Sequence, residues 1–140
     1  MDVCGVDLRG SEAIIVMVSG TKDDYKLIRS DARKIPLSDH NSSDEVKEFY
    51  KIFQALIDDR GIKKVAIKKR NLRGDYAAGG VSFKIEGLIQ LSQTADVLLL
   101  HPTYIGSCKR KYSHDIPNNL YKYQYGAFDI AFACLCKLES

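Results

Sequence analysis

The sequence predicts an α/β fold built on a five-stranded mixed sheet, three antiparallel strands followed by two parallel ones, with helices on both faces. Three observations carry this expectation. The N-terminal third alternates short apolar runs with tight turns, the pattern of antiparallel strands. A capped amphipathic helix follows. Beyond it, two more short apolar runs are separated by a stretch with helical spacing, and strands joined by helical crossovers must pair in parallel.

Residues 3–8 form the first strand: Val3, Cys4, Val6 and Leu8 are apolar, and Asp7 stands among them. Gly10 turns the chain into a second apolar run at 13–18, and Gly20-Thr21-Lys22-Asp23-Asp24 makes the next turn. Residues 25–35 alternate loosely around Leu27, Ile28 and Ile35, which makes them the third strand. Ser42-Ser43-Asp44-Glu45 reads as a capping box, and Val46, Phe49, Tyr50, Phe53, Leu56 and Ile57 follow at helical spacing until Gly61 stops the helix. Val65, Ala66 and Ile67, flanked by basic residues, predict a short buried fourth strand at 64–68. A glycine-bearing loop at 70–80 leads into a second helix at 82–95, with Ile85, Leu88, Ile89 and Ser92 on one face. Residues 96–100 are the fifth strand, ended by His101-Pro102. The last helix runs over 121–138, with Tyr125, Phe128, Phe132 and Leu135 as its apolar stripe.

The chain has 140 residues, 45% of them hydrophobic and 28% charged, which fits one domain spanning 1–140 around a single core. No apolar run approaches the roughly twenty residues of a membrane span, and no basic stretch followed by an apolar one opens the chain. A soluble, cytoplasmic protein with no membrane partner is expected. Cys4, Cys108, Cys134 and Cys136 lack CxxC spacing and read as buried thiols, with Cys134 and Cys136 the pair that merits a metal or redox test. His40, His101 and His114 show no metal-ligand spacing. Asp75 and Gly79-Gly80 lie in a loop after a strand and before a helix, where backbone amides can hold phosphate, but no nucleotide-binding glycine pattern is present.

A net charge of +3 names no partner by itself, but its distribution is uneven. Arg60, Lys63, Lys64, Lys68, Lys69, Arg70 and Arg73 follow one another with no acid between, and Lys109-Arg110-Lys111 forms a second cluster. The loops after the fourth and fifth strands leave a parallel pair at the same end. Lys68, Lys69, Arg70 and Arg73 are therefore expected to share a rim with Lys109, Arg110 and Lys111, able to follow a phosphate backbone. Tyr104, Tyr112, Tyr121, Tyr123 and Tyr125 lie near the second cluster in sequence, where they either stack on bases or pack in the core or an interface.

The predicted strand and helix order is that of the ribonuclease-H-like architecture. The chain resembles the RuvC-type Holliday junction resolvases in that order and in a few positions. It more specifically resembles a group of small uncharacterised bacterial proteins that share Cys-Gly-Val-Asp-Leu-Arg-Gly-Ser-Glu-Ala, Ala-Ile-Lys-Lys-Arg and Gly-Gly-Val-Ser-Phe-Lys-Ile-Glu-Gly-Leu-Ile-Gln-Leu. The likeness to the resolvases implies acids from the first strand, the fourth strand and the last helix converging on a divalent metal that activates water for phosphodiester cleavage. By that resemblance Asp7 takes the first-strand position and Asp129 the position on the last helix. The fourth-strand acid is replaced by Lys68, and the second helical acid, three residues before Asp129, by Gly126.

A buried strand carboxylate such as Asp7 needs a partner, either a metal or a cation. An ammonium at about 4 Å from a divalent ion costs roughly 8 kcal/mol at an effective dielectric of 20, so Lys68 is expected to replace the metal and pair with Asp7 and Asp129. The sequence thus predicts a ribonuclease-H-like module with a degenerate site and no cofactor, non-catalytic, that binds nucleic acid or a protein partner. One alternative is a nuclease using Mg²⁺ or Mn²⁺ with a rearranged acid set of Asp7, Asp129 and Glu86. Another is a structural subunit that forms a homodimer through the tyrosine-rich last helix. Glu12 reads as a surface carboxylate.

Overall fold

The computed structural model describes residues 1–30, 32–70, 79–112 and 115–140. β1 (Asp2–Arg9) and β2 (Glu12–Gly20) form a long antiparallel hairpin in register from Asp2↔Ser19 to Arg9↔Glu12. Gly10 closes its turn at φ 57°, a left-handed conformation that favours glycine.

The third strand expected over 25–35 is two short strands, so the sheet has six strands rather than five. β3 (Tyr25–Ile28) pairs with Met17 to Gly20, and β4 (Lys34–Pro36) pairs with Glu12 to Ile14. The break has a local cause: Ser30 Oγ donates to Ala32 O at 2.8 Å and accepts from Ala32 N, a serine turn that takes the backbone out of the ladder.

α1 (Ser43–Asp59) starts at the predicted cap, where Ser42 Oγ accepts from Glu45 N at 3.3 Å, and it buries Phe49, Phe53 and Ile57. β5 (Lys64–Lys68) then pairs parallel to β1, and β6 (Asp96–Leu100) parallel to β5, as the crossover argument requires. The strand order is β3-β2-β1-β5-β6, with β4 beside β3 on the outer edge of β2. Between β5 and β6, α2 (Gly80–Gln90) is shorter than the expected 82–95. Leu91 ends it, and Ser92 Oγ accepts from Ala95 N to turn the chain toward β6.

An additional helix, α3 (Pro102–Lys111), follows β6 where the sequence reading saw only a strand end. Its start is well signalled in retrospect: His101 Nδ1 accepts from Thr103 N at 3.1 Å and Pro102 occupies the first turn. The expected last helix at 121–138 divides into a 3₁₀ turn (Lys122–Gln124) and α4 (Tyr125–Leu138).

Side-chain alternation sorts the strands into two cores. Cys4, Val6, Leu8, Ile15, Met17, Val65 and Ile67 face α1 and α2, while Val3, Ile14, Val16, Val18 and Ala66 face α3 and α4. α4 lies almost in contact with the β1 backbone. A methyl on Gly5 would collide with the carbonyl of Ala127 and stand 2.5 Å from the amide nitrogen of Ala131.

Candidate functional site

Asp7 belongs to the α4 face of β1 and is 5% exposed. Arg9, two residues on and hence on the same face, donates from Nε to Asp7 Oδ2 at 2.9 Å, and its own side chain remains 56% exposed. Gly126, in the first turn of α4, lies directly over this pair. A Cβ there would sit 2.6 Å from Asp7 Oδ2 and 3.5 Å from Arg9 Nη2. The carboxylate thus occupies the volume that any side chain at 126 would need, near the positive end of the α4 dipole.

Asp129 is one helical turn further along α4. Lys109, from α3, donates from Nζ to Asp129 Oδ2 at 3.3 Å. Lys68 ends β5 one residue past the pair Val6↔Ile67, which places it beside Asp7 in register and on the same face. It is half-buried, and none of the ion pairs among the described residues includes it. Where the sequence led to an expected Lys68 bridge, the ion pairs among the described residues join Asp7 to Arg9 and Asp129 to Lys109. The reason is reach, since Arg9 is on the same strand and Lys109 comes from the helix the sequence reading omitted.

Glu86 is on α2, which packs on the opposite face of the sheet, so the rearranged set of Asp7, Asp129 and Glu86 does not assemble. Burial pushes its carboxyl above the usual range, and the charge of Arg70 partly offsets this. Among the described residues no group of three or more His, Cys, Asp or Glu is placed to hold a metal ion. Each of the two acids is in contact with a basic side chain, Asp7 with Arg9 and Asp129 with Lys109.

The first basic cluster gathers at the C-terminal end of β1 and β5. Lys69 N donates to Leu100 O at 2.8 Å, and Arg70 Nη1 donates to Leu8 O at 3.1 Å, so Lys69 is exposed at the strand end and Arg70 leans back toward β1. Arg73 and Asp75, like His114, lie outside the described residues. The second cluster does not share this rim. α3 carries the chain about 15 Å from the end of β6, and its last residues meet the β2–β3 turn at the other end of the sheet. There Tyr112 packs between Lys22 and Lys111, 4.5 and 5.3 Å from its ring. Of Lys109, Arg110 and Lys111, Lys109 is the one engaged with a site acid.

Two cations that the sequence reading passed over, Arg33 and Lys34, come close instead. Asp7 pairs with Ile14 and Ile14 with Lys34, so Lys34 stands in the same cross-sheet rank as Asp7 and on the same face. Its Nζ lies 4.5 Å from the Tyr123 ring, Arg33 lies 4.4 Å from the Tyr121 ring, and the two tyrosines stack at 5.7 Å. The tyrosines grouped by sequence therefore divide: Tyr104 and Tyr112 belong to α3, Tyr121 and Tyr123 to the break in the third strand.

All four cysteines are free and buried. Burial pushes Cys134 up to about 11 and Cys136 up to about 12, which makes these thiols packing groups rather than nucleophiles.

This antiparallel β1–β2 hairpin, extended by β3 and β4 and continued by parallel β5 and β6 with helices on both faces, is a ribonuclease-H-like fold. It is similar to the RuvC structure of Thermus thermophilus at a TM-score of 0.77, with 10% identity over 99% of this chain and 96% of that one. It is also similar to T. thermophilus RuvC in complex with a Holliday junction substrate, at a TM-score of 0.70 and 11% identity over 100% and 96% of the two chains. The chain belongs to the family described as protein of unknown function (DUF3010), which matches residues 1–134. Among curated proteins no sequence matches. No helix among the described residues is long and apolar enough to cross a membrane.

Proposed function

We propose that this protein binds nucleic acid without cleaving it, a cytoplasmic module of RuvC-like fold whose metal centre has become an internal ion pair. The observation that carries the reading is the Arg9–Asp7 contact at 2.9 Å beneath Gly126, which puts a half-exposed guanidinium over the carboxylate. Arg9 is held at its Nε by Asp7, which leaves its terminal nitrogens for a phosphate oxygen, and bidentate contact of that kind is what arginine provides best. Lys68 and Lys69 stand beside it at the end of β5, Arg70 follows, and Lys34 extends the same face across β2. The T. thermophilus resolvase bound to a Holliday junction supports DNA as the first ligand to try.

Binding of this kind is read from phosphates rather than bases, so its salt dependence is the test. Four contacted phosphates on a duplex give a slope of about −3.6 in log K against log salt, and Arg9→Ala with Lys69→Ala lowers it to about −2. Retention of branched DNA, single strands and RNA that is unaffected by those substitutions would remove the reading. Cleavage of any of them in Mg²⁺ or Mn²⁺, abolished by Asp7→Asn, would replace it with a nuclease.

A further inference from the structure

The break in the third strand leaves a cleft of about 330 Å³ against the outer edge of β2. Val16 and Leu27 are part of its floor, and Arg29, Arg33, Asn119 and Tyr121 stand around its mouth. Another strand cannot fill it by backbone pairing, because the β2 groups at this point are already satisfied. Ile15 N donates to Arg33 O at 2.9 Å, and Ile15 O accepts from the buried side chain of Gln124. Among the described residues, the cleft offers an apolar floor and two guanidinium groups at its mouth.

One of those guanidinium groups is braced. Arg33 lies 4.4 Å from the Tyr121 ring, Tyr121 stacks on Tyr123 at 13° between planes, and Lys34 Nζ lies 4.5 Å from the Tyr123 ring. A cation held in such a stack loses little freedom on meeting an anion, and Tyr121, 54% exposed, still offers ring edge and hydroxyl to a ligand. The volume is at the small end of the range for ligand pockets, enough for one ring system with one charged group.

We infer that this cleft binds a nucleoside monophosphate, its base on the apolar floor and its phosphate on Arg29 and Arg33. The unit is either a free nucleotide or the phosphorylated end of a single strand. The inference does not draw on Arg9, Lys68 or Lys69: its floor is on β2 and β3, and Arg29 and Arg33 lie in the connection between β3 and β4.

The test is titration of the ¹⁵N-labelled protein with AMP, adenosine, inorganic phosphate, and a single-stranded thymidine hexamer with or without a 5′ phosphate. AMP is expected to saturate with shifts at the amides of Ile15, Val16, Met17 and Asn119, and to bind at least tenfold more tightly than adenosine or phosphate alone. Arg33→Ala and Arg29→Ala each weaken it at least tenfold, while Tyr121→Phe stays within about threefold and Lys51→Ala, exposed on α1 across the sheet, has no effect. A phosphorylated hexamer that outcompetes AMP assigns the site to strand ends; AMP that outcompetes the hexamer assigns it to free nucleotide. Equal binding of phosphate and AMP, shifts confined to the Arg9 edge, or no saturation would overturn the inference. In the second of those results the edge reading survives while the cleft fails.

Discussion

Gly126 allows the centre to be probed by a single methyl. In Gly126→Ala the new Cβ falls 2.6 Å from Asp7 Oδ2 and 3.3 Å from its Cγ. Asp7 has little room to give way, being 5% exposed, short, and tethered at the same oxygen by Arg9. Overpacking of this kind costs about 1–3 kcal/mol. Helix propensity acts the other way, by up to about 1 kcal/mol for alanine over glycine and less in a first turn. The net loss is about 1–2 kcal/mol. Gly87 supplies the control: it is inside α2 with nothing within 4 Å of its virtual Cβ, so Gly87→Ala should gain about 0.5–1 kcal/mol. Urea unfolding of both variants measures the contrast, and the same pair of measurements in an Asp7→Ala background completes a double-mutant cycle. The penalty at 126 should largely vanish once the carboxylate is gone. If Gly126→Ala instead stabilises as much as Gly87→Ala, Asp7 is not pinned beneath α4 and the account of the centre is wrong.

Two further outcomes follow from the same contacts. Arg9→Ala should cost about 1–3 kcal/mol in urea unfolding, below the range for fully buried pairs because solvent reaches Arg9. Lys68→Ala should cost under about 1 kcal/mol, since it takes part in no ion pair among the described residues; a larger loss at 68 than at 9 would restore the lysine bridge. Glu86 has its carboxyl raised by burial, so the folded state holds the proton more tightly than the unfolded one. Stability from this group is therefore present at low pH and lost as pH rises from the ordinary glutamate value of 4.5 through the raised one. Glu86→Gln should be neutral or stabilising at pH 7, by less than about 1 kcal/mol because the group is only partly buried, and should flatten the fall in thermal midpoint above pH 4.5; a steeper fall in the variant would refute the assignment.

Strand order and pairing were legible because they depend on patterns that survive in one dimension: period-two apolar runs, a capping box, and crossovers too long for hairpins. The split of the third strand was not, because it turns on one serine hydroxyl bonding its own backbone, and Ser30 looks the same in a strand as in a turn. α3 was obscured by its composition, since Pro102 and the basic triplet read as a strand end and a surface run, though His101 before Pro102 carried a cap signal. At the centre, Asp7, Asp129 and Gly126 were identifiable by position. The cation that meets Asp7 was not, because the sequence marks Lys68 and Arg9 equally, and only the pleat and the strand ends decide which side chain arrives. Lys34 was invisible for a different reason: its place beside Asp7 depends on a register fixed across three strands.

The near-contact of Gly5 with α4 gives the molecule a fixed separation between helix and sheet. Asp7 and Asp129 hang from opposite sides of that gap, one on the sheet and one on the helix, so their spacing is a property of the backbone rather than of anything bound between them. That separation is set by the single hydrogen atom at position 5. A larger residue there would lift Gly126 and Asp129 away together, opening the centre from its hinge side while every charged group kept its identity. The charges at this site can be exchanged by substitution without touching the gauge that spaces them, whereas any side chain at position 5 resets it.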